Sequence, residues 1–170
     1  MKAAIYPGTF DPPTLGHLNV IQRAALQCER LVIAIGENPA KVTPVFSLEE
    51  RMDFLKAITA GIANIEILSF SGLLVDFAHS QRIDIIIRAI RTIFDFEYET
   101  LQAQTNRQLG AIETFYLVVE EKYRLISSTL VREIAPYGKR LHDFVPAEIE
   151  AEIFHRLFHM QKHKENYSRP

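Results

Sequence analysis

The sequence predicts a doubly wound α/β fold, with five parallel strands in one sheet and helices on both of its faces. Three observations support this fold class. Five short, almost wholly apolar runs recur along the 170 residues, and such runs are typical of strands buried on both faces. Helical segments with an apolar stripe separate the runs. Strands that alternate with helices pair in parallel through right-handed crossovers.

In the first half of the chain, strands are predicted at 3–6, 31–35 and 65–68, each followed by a helix. A Pro-Gly pair is expected to end the first strand, because proline fixes φ and removes a donor. The second helix has the clearest start, a capping box of Ser47 and Glu50. The third helix follows a Ser-Gly turn, and its leucine and phenylalanine side chains are expected to point inward.

In the second half, strands are predicted at 83–87 and 114–119, with a long helix over 92–109 between them. Three side chains of that helix are assigned to the core rather than to a ligand: Phe94, Tyr98 and Leu101. The helix after the fifth strand is expected to be capped by Ser127 or Ser128, since serine is a preferred N-cap residue.

One domain is predicted over residues 1–158, because no linker or internal repeat divides the chain. Pro146 suits the first position of a last helix. From about His159 the sequence turns polar, so residues 159–170 are predicted to be a loosely ordered tail.

Composition narrows the class of protein. The net charge of −2 provides no general basic field, which argues against nucleic acid as a partner. The single cysteine, Cys28, cannot form an internal disulfide and fits a reducing compartment. No signal peptide is recognised, and no apolar run is long enough to span a bilayer. A cytoplasmic protein without membrane contact is therefore expected.

The segment between the first strand and the first helix has the strongest functional pattern. It contains G-T-F-D and then T-x-G-H, which gathers Gly8, Thr9, Thr14 and His17 at a helix start. Backbone N–H groups and the helix dipole favour phosphate at such a place. A histidine there can donate a hydrogen bond to a phosphoryl oxygen as charge grows on it. The alternative is a capping or surface role for His17.

The other strand ends are expected to lie on the same rim, where open α/β sheets bind ligands. Lys41 follows the second strand and is a candidate cation for a phosphate. Arg88 and Arg91 follow the fourth strand, and bidentate phosphate contact favours arginine. The hydroxyl residues 127–129 could form a phosphate cradle or simply cap a helix. The arginines could instead form salt bridges with nearby carboxylates: Asp95, Glu97 or Glu99.

Together these motifs resemble the nucleotidylyltransferase superfamily, and within it the bacterial phosphopantetheine adenylyltransferase family. G-T-F-D-P followed by T-x-G-H is the superfamily signature, and D-F-E-Y-E with N-R downstream matches the narrower family. I-S-S-T resembles the family motif I-S-S-S, with Thr129 keeping the hydroxyl in the last place. The resemblance spans roughly Ala3 to Pro146. Ala89 stands where the family pattern R-G-x-R has glycine. We expect a negative φ at Ala89, with its amide still available to a ligand.

The resemblance implies a Rossmann-like nucleotidyltransferase fold and a coenzyme A biosynthesis enzyme. Its reaction would be reversible adenylyl transfer from ATP to 4′-phosphopantetheine, giving dephospho-coenzyme A and pyrophosphate. The substrate phosphate would attack the α-phosphate of ATP directly and in line. The family further implies Mg²⁺ with ATP, a homohexamer and feedback by coenzyme A. No metal ligand is assigned to the protein, because the sequence has no carboxylate cluster dedicated to Mg²⁺.

The resemblance also assigns roles to residues. Catalysis is assigned to His17, Lys41 and Arg91. Contact with phosphopantetheine is assigned to Thr9, Lys41, Leu73, Leu74 and Arg88. Contact with ATP is assigned to Gly8, Thr9, Phe10, His17, Ala89, Ile90, Arg91, Glu99, Tyr123, Arg124, Leu125, Ile126, Ser127, Ser128 and Thr129.

Two alternative functions stay open. Another nucleotidylyltransferase, acting on a nicotinamide mononucleotide or a glycerol phosphate, would share the first loop and helix. A non-catalytic nucleotide-binding or regulatory protein would bind without turnover. The resemblance of the Leu73-Leu74 region and of I-S-S-T favours the pantetheine substrate, and the presence of His17, Lys41 and Arg91 favours an enzyme.

Overall fold

The structure is a computed structural model that describes residues 2–37 and 44–167. These residues form the predicted five-stranded parallel sheet, in the order β3-β2-β1-β4-β5. The strands are β1 (Ala3–Gly8), β2 (Arg30–Glu37), β3 (Ile65–Ser71), β4 (Ile85–Ile90) and β5 (Glu113–Val118). The strand order reverses between β1 and β4, and in open α/β sheets that reversal opens a ligand crevice.

Helices cover both faces of the sheet, as predicted for a doubly wound fold. They are α1 (Leu15–Ala25), α2 (Leu48–Thr59), α3 (Leu74–Ser80), α4 (Ile93–Gly110), α5 (Ser128–Ile134) and α6 (Ala147–Tyr167). The capping box at α2 is confirmed: the Glu50 N–H donates to Ser47 Oγ at 3.2 Å, and the Ser47 N–H donates to Glu50 Oε2 at 2.7 Å. None of the helices described is long and apolar enough to cross a membrane.

The apolar core lies on both sides of the central strands. Ile33 belongs to the larger cluster, which also contains Ile153 of α6, whereas its neighbour Val32 belongs to a second cluster with Val75 of α3. Successive side chains of a strand point to opposite faces, so one apolar run supplies both clusters. This is why the buried strands have continuous rather than alternating apolar sequences.

All five strands differ from their predicted bounds by one to three residues at one or both ends, and two of these differences concern the functional residues. β1 continues through Pro7 and Gly8, both of which have register partners in β2. Pro7 lies two residues beyond Ile5, the position at which β1 is in register with Ile86 of β4. β4 runs on to Ile90 alongside β5. Arg88 therefore lies within β4 rather than after it.

The prediction that α4 contributes Phe94, Tyr98 and Leu101 to the core is wrong. Their exposed fractions are 78%, 59% and 62%, and α4 has no buried residue. α4 packs on α3, β4 and β5, and these elements leave its other side uncovered. Leu73, expected to point inward, is 55% exposed because it is the N-cap residue of α3 rather than part of its inner stripe.

The last helix is longer than predicted. Its buried stripe is Ile149, Ile153 and Leu157, as expected. The helical backbone then continues past His159 to Tyr167, into the segment predicted to be a polar tail. The domain boundary at residue 158 and the loose order of residues 159–170 stay predictions.

Candidate active site

A cavity of about 830 Å³ opens at the carboxyl ends of β1 and β4, where the strand order reverses. Its walls come from the β1–α1 loop, β4, the segment before α2, and the N-terminal parts of α1, α4 and α5. Most of the predicted site residues line it: Gly8, Thr9, Phe10, His17, Arg88, Ala89, Arg91, Glu99, Ile126, Ser127, Ser128 and Thr129. Residues separated by more than 100 positions in the chain thus surround one volume.

Several other predicted contacts do not line this cavity: Leu73, Leu74, Ile90, Tyr123, Arg124 and Leu125. Ile90 is buried in the sheet, and Leu125 is exposed in the loop before α5. Their assigned roles stay predictions. Lys41 lies outside the described residues.

The β1–α1 loop folds over the side chain of Phe10. This residue is buried with a φ of 51°, and its ring meets the rings of Tyr6 and His17 edge-on at 5.7 and 5.1 Å. A Cβ atom on Gly8 would lie 2.8 Å from Phe10 Cζ. Gly8 is therefore required for packing within the loop, a reason that sequence inspection did not identify.

His17 is held in one orientation and one tautomer. The Thr14 N–H donates to His17 Nδ1 at 3.0 Å, and Thr14 Oγ1 lies 2.9 Å from the same nitrogen. Since Nδ1 accepts from a backbone N–H, the proton of the neutral ring is on Nε2. Burial of the ring, and then the positive charge of Arg91, lower the pKa of His17 to about 4. At neutral pH the ring is therefore an uncharged Nε2–H donor.

The low pKa of His17 leads to a testable prediction. In the free protein, the ring should titrate near pH 4 in a histidine NMR titration, against the usual value of 6.5. The unfolded chain takes up this proton between pH 6.5 and 4 and the folded chain does not. The free energy of unfolding is therefore expected to fall by roughly 3 kcal/mol at most as the pH drops from 6.5 towards 4. A midpoint near 6.5 would contradict the assigned tautomer and environment.

Asp11 joins three segments of the cavity wall. Its buried carboxylate accepts hydrogen bonds from the Val45 N–H at 3.0 Å and from the Phe46 N–H at 2.9 Å. Arg132 of α5 donates to the Asp11 carbonyl and lies 3.4 Å from Asp11 Oδ2. Sequence inspection assigned Asp11 only to turn formation. It thus missed that this residue links the first loop to the start of α2 and to α5.

Arg51 supports the same loop from α2. Its buried side chain donates to the Thr9 carbonyl at 2.8 Å and to the Phe46 carbonyl at 3.1 Å. These contacts fix the backbone of the loop that carries Thr9. Thr9 is 42 residues from Arg51 in the chain, and Phe46 is 5 residues away. No local sequence motif predicts the contact with Thr9.

Arg88 and Arg91 form the predicted salt bridges and also line the cavity. Arg88 Nε lies 3.2 Å from Glu99 Oε2, and Arg91 Nε lies 3.2 Å from Asp95 Oδ2. Burial raises the pKa of Glu99, while the positive charge of Arg88 opposes that shift. A guanidinium has five N–H donors, so each arginine can keep its carboxylate and still donate to an anion in the cavity.

The three hydroxyl residues at the start of α5 have separate partners within the chain. Ser127 is the N-cap and accepts from the Leu130 N–H at 3.0 Å. Ser128 Oγ donates to the Pro12 carbonyl at 2.8 Å, and Thr129 Oγ1 accepts from Arg132 at 3.3 Å. The capping role is thus present, and these contacts attach the first turn of α5 to the β1–α1 loop.

The negative φ expected at Ala89 is confirmed, and the availability of its amide to a ligand stays a prediction. It lies in β4 and is absent from the positive-φ residues of the described chain, which are Phe10, Arg82, Ala111 and two glycines. Its methyl group packs against the larger core cluster. Alanine is therefore accommodated here without backbone strain.

The sequence is similar to a known protein family and to named relatives within it. Residues 5–134 match the cytidylyltransferase-like family. The chain is 42% identical over 163 residues to the phosphopantetheine adenylyltransferase of Clostridium botulinum (strain Langeland / NCTC 10281 / Type F), covering 95% of this chain and 99% of that protein. The corresponding protein of C. botulinum strain 657 / Type Ba4 is 41% identical over the same coverage.

A solved structure extends the comparison to the fold. A bifunctional NMN adenylyltransferase/ADP ribose pyrophosphatase from Francisella tularensis superposes with a TM-score of 0.68 and 15% sequence identity. The match covers 99% of this chain but 55% of that one, so the chain spans about half the length of the bifunctional protein. At this identity the likeness concerns the fold alone.

Proposed function

Because the chain belongs to the phosphopantetheine adenylyltransferases of the cytidylyltransferase-like family, we propose that its cavity aligns ATP and 4′-phosphopantetheine for direct adenylyl transfer. The predicted activity, adenylyl transfer from ATP to 4′-phosphopantetheine with release of pyrophosphate, agrees with this family. The observation that best supports a catalytic site is His17, a neutral Nε2–H donor fixed by Thr14 in a cavity that Arg88 and Arg91 share.

In this mechanism, an oxygen of the substrate phosphate attacks the α-phosphorus of ATP. A new P–O bond forms, the bond to the β-phosphate oxygen breaks, and pyrophosphate leaves. The protein's task is positioning and electrostatic stabilisation, as in other phosphoryl transfers. The His17 Nε2–H donates to an α-phosphate oxygen as negative charge grows on it. Arg91 adds positive charge beside the same ring.

The acceptor phosphate is assigned to the β1 side of the cavity. Thr9 is exposed at the rim, while its carbonyl is held by Arg51, so its hydroxyl can orient the attacking phosphate. Arg88 supplies a second contact from β4. Lys41, outside the described residues, is proposed to reach the reacting phosphates. Leu73 and Leu74, beyond the cavity at the start of α3, are proposed to contact the pantetheine arm.

ATP is assigned to the side formed by β4, α4 and α5. Residues 127–129 begin α5, and the first N–H groups of a helix lack intrahelical partners. These N–H groups are proposed to hold the β- and γ-phosphates. The remaining ATP contacts are assigned to the β1–α1 loop, residues 89–91, Glu99 and residues 123–126.

Mg²⁺ is proposed to enter with ATP. Among the described residues, no group of three or more His, Cys, Asp or Glu side chains could hold a metal ion. Mg²⁺ is commonly bound through substrate phosphates and water with few protein ligands, which fits a cavity whose acidic residues Asp11 and Glu99 already face arginines. When bound, the ion would neutralise phosphate charge.

We propose that α4 forms part of an interface between copies of this chain, in the homohexamer that the family implies. Its outer face exposes Ile93, Phe94, Tyr98 and Leu101, and contiguous apolar patches of this kind mark interaction sites. We also propose feedback by coenzyme A, as the family implies. A location in the cytoplasm is proposed as well, because a single cysteine, Cys28, is compatible with a reducing compartment.

The interface can be tested by charge insertion. Phe94→Glu is expected to reduce the oligomer mass measured by light scattering, because a buried, unpaired carboxylate is costly in an apolar interface. Lys56→Glu, a charge change on the exposed surface of α2, is the matched control and should leave the oligomer mass unchanged. An unaltered mass for Phe94→Glu would contradict the placement of α4 in the interface.

The activity itself is tested by pyrophosphate release from ATP and Mg²⁺ with 4′-phosphopantetheine as acceptor. Release that depends on this acceptor is expected. Release only with nicotinamide mononucleotide or glycerol phosphate would support a nucleotidylyltransferase but would contradict 4′-phosphopantetheine as the acceptor. ATP binding without release with any of the three would favour a non-catalytic nucleotide-binding protein.

A further inference from the structure

The solvent face of α6 carries two histidines that the proposed reaction does not use. His155 and His159 are four residues apart and therefore lie on the same face of the helix. Both are exposed. Their ring centroids are 4.4 Å apart and the ring planes are tilted by 52°. Two imidazoles thus stand side by side, one helical turn apart and open to water.

The helix beneath this pair is firmly packed. Ile149, Ile153 and Leu157 are buried on its opposite face. Arg156 forms an ion pair with Glu50 of α2 and lies over the Phe46 ring at 6.0 Å. The positive charge next to the pair is therefore engaged with a carboxylate, and the backbone that carries both histidines is held against the domain.

An aromatic layer supports the second histidine. Phe154 and Phe158 stack with centroids 5.4 Å apart, and the Phe158 ring meets His159 edge-on at 5.7 Å. The His159 ring thus has a packed neighbour on one side and His155 on the other. These contacts restrict its orientation although the ring is exposed, which lowers the entropy lost when a ligand is bound.

We propose that His155 and His159 form a two-histidine surface site for a transition-metal ion of the Zn²⁺, Ni²⁺ or Cu²⁺ class. Neutral imidazole nitrogens suit these ions, and histidines four apart on one helix face can ligate a single ion. No third His, Cys, Asp or Glu completes a metal cluster among the described side chains. Water would fill the coordination positions that the described side chains leave free, which makes the site open and exchangeable rather than structural.

The site is tested on the full chain by titration with Zn²⁺ alone, without nucleotide, in isothermal calorimetry. His155→Ala and His159→Ala are each expected to weaken Zn²⁺ binding by at least about tenfold, because even second-shell changes at metal sites commonly cost that much. His142→Ala removes an exposed histidine from another segment and is the matched control, with unchanged affinity. All three variants should release pyrophosphate at the wild-type rate.

A spectroscopic readout separates ligation from a general effect on the helix. Cu²⁺ bound to the wild-type chain should show two coordinated imidazole nitrogens by electron paramagnetic resonance, and His155→Ala should show fewer. Zn²⁺ affinity within twofold of wild type in both His155→Ala and His159→Ala would overturn the proposal. So would equal losses in His142→Ala, or a Cu²⁺ spectrum that His155→Ala leaves unchanged.

Discussion

His17→Ala is expected to lower the rate of pyrophosphate release by about 10²–10³-fold, the usual cost of losing one preorganised donor to a developing oxyanion. In the structure, the Thr14 N–H fixes the ring so that Nε2 carries the proton. Alanine leaves no donor in that place. Because the contact strengthens as charge develops, the loss should fall mainly on kcat rather than on KM. Steady-state kinetics with both substrates varied would measure this division.

The control for this variant is His142→Ala, which removes an imidazole from an exposed position beside Asp143. It should retain wild-type turnover. His17→Gln, whose amide nitrogen can lie close to the position of the imidazole Nε2, is expected to recover part of the rate. If His17→Ala stayed within about threefold of wild type, the enzyme class would stand and the assigned role of His17 would be wrong.

Asp11→Ala should produce the largest loss of stability. The change leaves the Val45 and Phe46 N–H groups without their acceptor and removes the carboxylate that pairs with Arg132. Buried donors left unsatisfied cost about 1–3 kcal/mol each, so we expect a total of about 3 kcal/mol. For a domain of this size that corresponds to a fall in Tm of roughly 6–12 °C by calorimetry.

Asp53→Ala is the matched control, since Asp53 pairs with Lys56 on the exposed surface and such pairs contribute at most about 1 kcal/mol. Asp11→Ala should also reduce turnover at temperatures where the variant stays folded, because the first loop, the start of α2 and α5 lose their common anchor. A Tm within 2 °C of wild type would show that the carboxylate does not hold these segments together.

Local sequence patterns predicted much of the fold and part of the site. The five apolar runs became five parallel strands, and Ser47 with Glu50 formed the expected capping box, because both signals arise from residues close in the chain. Because the carboxyl ends of parallel strands lie on one rim, the sequence predicted that Arg88, Arg91 and residues 127–129 lie near His17. All of them line the same cavity. That rule needs only the order of elements along the sequence.

The sequence by itself determined the fold class and the chemical groups at the strand ends. Only the tertiary structure decided how those groups are held. Asp11 contacts Phe46 and Arg132, which are 35 and 121 residues away in the chain. Whether a face of α4 is exposed depends on which other elements pack against that helix. Helical spacing predicts that side chains share a face, but not what that face meets. Such contacts depend on the packing of distant segments, which no local pattern encodes.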